Sequence, residues 1–112
     1  MRGHPPVTAS DVLECLADEC RTDHVGLWQI VSAVQFDLGA ADPVQTQTLT
    51  MQLVRSLLQD YGIVVGHPAP DGRGFVTWNV SPELAVRRIE AEWSALGHEP
   101  DIGDIAWFTS VP

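Results

Sequence analysis

Four histidines, two cysteines and a late cluster of carboxylates are the side chains of this sequence best suited to chemistry. A metal site would need about three or four converging ligands. His24, His67 and His98 are far apart in sequence, each beside a turn, and His4 sits in the opening segment. No HxxxH, CxxC or HExxH spacing occurs. Cys15 and Cys20 fall on one expected helix, roughly 140° apart around its axis, and so point in different directions. They read as buried core thiols in a reducing compartment. Glu99, Asp101 and Asp104 are close together, but their spacing is not that of an EF-hand loop. Asp71-Gly72-Arg73-Gly74 lacks the Lys-Ser/Thr of a P-loop and precedes a strand, which denies an anion any helix N-terminus. It reads as a hairpin tip. GxSxG is absent, and Ser32, Ser56, Ser94 and Ser110 have no paired base in view. No catalytic residue, cofactor or metal is expected, and the chain does not read as an enzyme.

Charge points elsewhere. Among 112 residues there are six Lys plus Arg, all arginine, against fifteen Asp plus Glu, for a formal net charge of −9. Carboxylates cluster in residues 11–23 and again in 90–104, and neither Lys nor Arg follows Arg88. Such a surface repels a nucleic-acid duplex, because Lys and Arg contacts to phosphate supply most non-specific affinity. Net negative charge also serves solubility. The lack of Lys beside abundant Ala, Val, Asp and Arg matches the codon bias of a high-GC bacterium. With 45% hydrophobic residues and four tryptophans, the chain can bury roughly two-thirds of its unfolded surface as one domain. No apolar run nears the ~20 residues of a membrane span, and no secretory leader opens the chain. It reads as a soluble, cytoplasmic protein.

The elements that must position these groups follow from capping and periodicity. Residues 1–7, with Pro5 and Pro6, should be a flexible arm preceding a single domain over 8–112. Thr8 to Asp11 has the form of a capping box, and a helix to about Arg21 should bury Leu13, Leu16, Ala17 and Cys20. Asp23 can cap a second helix reaching about Asp37, with a strand over 24–27 as the lesser alternative. Asp42-Pro43 starts a third helix, burying Leu49, Leu53, Val54, Leu57, Leu58 and Tyr61, and Gly62 ends it. Ile63-Val64-Val65 and Phe75-Val76-Thr77-Trp78 are strands joined by a Pro- and Gly-rich loop. Ser81-Pro82-Glu83 opens a fourth helix to about Leu96, with Val86, Ile89, Trp93 and Leu96 inward and a Glu83–Arg87 pair outside. Residues 105–108 should form a short strand packed on the domain.

That order, helices then hairpin over Val25 to Val80, resembles the helix–turn–helix–wing unit of winged-helix regulators. The resemblance lies in element order, without a signature motif. It implies an α+β, winged-helix-like fold: three helices, a hairpin wing, a fourth helix and a short C-terminal strand. It also implies a third helix that presents Gln45, Thr46, Gln47, Thr48, Thr50, Gln52 and Arg55 to the major groove, with His67 and Arg73 on the wing. Gln and Thr can bond base edges, but one arginine on the helix and one on the wing are few for phosphate contacts.

The function expected from charge is therefore a non-enzymatic protein–protein interaction module, with its acidic surface presented to a basic partner. An immunity or antitoxin-like protein that neutralises a basic toxin is one concrete version. Trp107 and Phe108 are the candidate apolar anchor, since Trp is enriched at binding hot spots, and Glu99, Asp101 and Asp104 the steering charges. The alternative is a DNA-binding regulator that uses Gln45, Gln47, Thr48, Gln52, Arg55 and Arg73, dimerised through the fourth helix and the tail. A pocket lined by Trp28 and Trp93 would suit a small-molecule sensor.

Overall fold

The computed structural model describes residues 8–110; the arm expected over residues 1–7 lies outside them. Among these residues the fold is α+β, with four helices and a four-stranded antiparallel sheet.

Helix α1 spans Ala9–Thr22, and the capping box forms: Thr8 Oγ1 accepts from the Asp11 N–H, and Asp11 accepts in return from the Thr8 N–H. Val12, Leu16, Ala17 and Cys20 are buried, so the inward stripe begins one residue before the expected Leu13. Cys15 is exposed rather than buried, because it lies outside that stripe. A two-residue strand β1, Val25–Gly26, follows where a helix start was expected. Asp23 does not cap α2; its carboxylate accepts from the His24 N–H at 2.7 Å and so holds the chain extended. Helix α2, Leu27–Phe36, starts at Gly26, whose N–H is satisfied by the returning Gln29 side chain at 2.7 Å.

Helix α3, Pro43–Asp60, begins as read, with the Asp42 carboxylate accepting from the Gln45 N–H at 2.8 Å. Strands β2, Ile63–Pro68, and β3, Phe75–Thr77, form the expected hairpin. Gly66 is required where the two strands meet: a Cβ there would lie 2.0 Å from the Val76 carbonyl oxygen. Helix α4, Pro82–Leu96, is capped by the Ser81 hydroxyl and closed by Gly97 at a φ of 76°. On its surface Arg88 pairs with Glu92 at 2.7 Å, in place of the expected Glu83–Arg87 contact.

The largest departure is strand β4, Trp107–Ser110, two residues later than expected. It does not pack on the periphery. The sheet order is β1-β4-β2-β3, so β4 lies between β1 and β2 and is hydrogen-bonded to both. Phe108 is level with Val25 and Val65 in adjacent strands, and all three side chains are buried. Helices α1 and α3 cover this face, while α2 and α4 pack against α3. Strand alternation turns Trp107 to the opposite face. There it lies level with Gly26 and Gly66 and meets Trp28 edge to face at 4.7 Å.

Candidate functional site

The expected anchor is divided by its own strand. Trp107 is half-buried against Trp28, and Phe108 is wholly inside the core. Adjacent strand residues point to opposite faces, so the two cannot act together on a partner, and Phe108 is withdrawn from the candidate site. At Trp107 and Phe108 both edges of β4 are already paired, with β1 on one side and β2 on the other.

The late carboxylates also separate. Asp104 accepts from the Asp101 N–H at 2.8 Å, and Asp101 accepts from the Ile102 N–H at 3.0 Å, so both hold a local turn. Glu99 turns away from them. It accepts from the Gln35 side chain and ties the post-α4 segment to α2.

Glu99 lines a cleft with a volume of about 800 Å³. Such a volume falls within the roughly 300–1,000 Å³ of typical ligand sites. The C-terminal ends of α2 and α4 and the start of α3 form its walls. Phe36, Ala40, Ala41, Pro43 and Trp93 supply its apolar lining. Asp42, Glu99 and His98 supply the titratable groups, and among the described residues no Lys or Arg lines it. Phe36, the last residue of α2, is 83% exposed. No sequence signal marked it, since it lies off the Leu27, Ile30, Val31 and Val34 stripe of its helix and a single apolar residue there has no site signature. The sequence also gave no reason to place Glu99 beside α2, a contact made across 64 residues.

The residues expected to read DNA are only partly assembled. Thr46 and Thr50 are buried and cannot reach a groove. Gln45 is exposed, but its side chain accepts from the Ala41 N–H at 3.0 Å, closing the turn before α3. Gln47, Thr48, Gln52 and Arg55 share a second, smaller groove of about 340 Å³, where Glu90 of α4 faces them. Arg73 lies at the hairpin tip, its N–H bound to Asp71 at 2.9 Å. Arg88 stacks on Trp78, 3.7 Å from the ring centre.

His67 does structural work. The Trp78 Nε1–H donates to its Nδ1 at 3.1 Å, so Nε2 carries the proton that reaches the Ile105 carbonyl at 3.0 Å. Ile105 has a φ of 67°, rare for a β-branched residue. The Ala106 N–H to Asp104 carbonyl bond of 2.8 Å closes a tight γ-turn around it. Trp78 and His67 thus clamp the turn that feeds β4 into the sheet.

The sensor pocket is not assembled either, since Trp93 lines the cleft and Trp28 packs on Trp107 instead. Cys20 is buried, and burial foremost pushes its thiol up from 9.0 to about 12, Glu19 adding to the shift and Arg21 opposing it. It is an inert core thiol, not a nucleophile. Among the described residues no group of three or more His, Cys, Asp and Glu could hold a metal ion, and no helix is long and apolar enough to cross a membrane. Comparison with protein-family models, curated proteins and solved structures returned no match.

Proposed function

We propose that this protein is a non-enzymatic interaction module that binds a basic protein partner through its acidic surface. One observation carries the reading: a cleft of about 800 Å³ is lined by apolar residues and carboxylates, with no Lys or Arg among its described lining residues. An apolar centre with a polar rim is the usual anatomy of a protein interface. The exposed acidic residues of α1, among them Glu14, Asp18 and Glu19, extend the same field and would speed encounter with a cationic surface. Neutralisation of a basic toxin, as by an immunity or antitoxin-like protein, is a use that fits this chemistry.

The alternative is a winged-helix regulator with its last strand inserted into the sheet. Gln47, Thr48, Gln52 and Arg55 on one groove of α3 favour it. Against it stand Glu90 in that groove and the burial of Thr46 and Thr50.

Selection of random peptides displayed on phage against the immobilised protein separates the two. The interaction reading expects enriched sequences rich in Arg and apolar residues, whose binding weakens as salt rises. Enrichment of acidic sequences, or of none, would remove it.

A further inference from the structure

We infer that the cleft between α2, α3 and α4 is the docking site itself, and that it takes an arginine next to an apolar residue on the partner's chain. This rests on the interaction reading above and names the chemistry that the site selects.

The first argument is electrostatic. Helices α2 and α4 both end at the cleft, and a helix C-terminus carries roughly half an elementary negative charge. Neither last turn contains a basic residue to offset it. The start of α3 also opens there, and its opposite partial charge is met by the Asp42 carboxylate through one oxygen, Oδ1. Glu99 likewise engages Gln35 through one oxygen, Oε1. Among the described residues nothing else bonds to either carboxylate, which leaves each a second oxygen for a cation. His98 is the opposing group: its Nδ1 carries a proton donated to the Glu99 carbonyl at 2.8 Å.

The second argument is shape. Phe36 lines the cleft with most of its surface exposed, and Trp93, 8% exposed, lines it too. A large apolar side chain this exposed at a cleft edge gains by being covered. An arginine is favoured over lysine because its flat guanidinium stacks on an aromatic ring while its N–H groups meet carboxylates in a fork. The neighbouring apolar residue of the partner then fills the space walled by Ala40 and Pro43.

The test is a two-dimensional NMR titration of the ¹⁵N-labelled protein with a blocked Arg-Leu-Arg tripeptide, with a blocked Glu-Leu-Glu tripeptide as control. The expected result is saturable movement of the amide signals of Phe36, Gly97 and Glu99 by the first probe only. Phe36→Ser and Glu99→Gln should each weaken binding about tenfold, the scale of one well-placed anchor, while Glu83→Gln, exposed at the far end of α4, leaves it unchanged. Both cleft substitutions fall at exposed positions, and a glutamine keeps the bond to Gln35, so loss of folding cannot imitate the result. Movement centred on α1 would overturn the cleft assignment while leaving a basic partner in place. No movement with either probe would overturn the cleft assignment, and a failed peptide selection besides would remove the interaction reading.

Discussion

At the residue scale, two side chains report the packing directly. Cys20 is sealed in the core and Cys15 is on the surface. Native-state alkylation should therefore modify Cys15 alone, with Cys20 labelled only on unfolding; equal labelling in the native protein would contradict the packing around α1. The raised Cys20 thiol also sets a pH dependence. The fold favours the protonated form, so its contribution to stability is whole below about pH 9 and is lost as pH rises toward 12. Denaturant melts of the wild type and Cys20→Ala should accordingly converge across that window. Gly66 is the complementary case. Gly66→Ala drives a Cβ into the Val76 backbone, and it should cost about 1–3 kcal/mol, as overpacking usually does. A neutral result in thermal melts would mean that the β2–β3 approach is looser than described.

At the element scale, the strand β4 matters most. It joins β1 and β2, which do not pair with one another, so the sheet depends on a segment formed late in the chain. Phe108→Ala empties a fully buried site and should cost about 3–5 kcal/mol, a large share of the roughly 5–15 kcal/mol typical of a domain. Chemical denaturation measures it, and a loss under 1 kcal/mol would return β4 to the periphery. The capping signals at Thr8, Asp42 and Ser81 and the helix endings at Gly62 and Gly97 were legible because caps are local chemistry. The existence of β4 was legible from its bulky apolar run. Its place between β1 and β2 was not, since pairing across some eighty residues leaves no mark on local spacing. The same blindness hid the candidate site. Glu99 stood out by charge, but Phe36, off the apolar stripe of its helix, carried no signal, and only the packing of α2 against α3 and the return of the post-α4 segment bring them together. Thr46 and Thr50 misled in the opposite direction: polar type suggested solvent, while the face of α3 that they occupy is inward.

At the scale of the whole molecule, the question is what a chain of net charge −9 meets. Of the arginines in the described residues, Arg21 pairs with Asp18, Arg88 with Glu92, and Arg55 shares its groove with Glu90. Binding to a duplex depends on Lys and Arg reaching phosphates, and these pairings reduce what the chain can offer. A basic protein surface meets no such obstacle, and the cleft adds apolar area that charge alone would lack. The most direct measurement is fluorescence polarisation of two labelled probes, a peptide enriched by the display selection and a mixed-sequence DNA duplex, each titrated from low salt upward. The account predicts peptide binding that weakens with salt and is lost in Phe36→Ser, with the duplex unbound even at low salt. Duplex binding that falls steeply with salt and disappears in Arg55→Ala would contradict it.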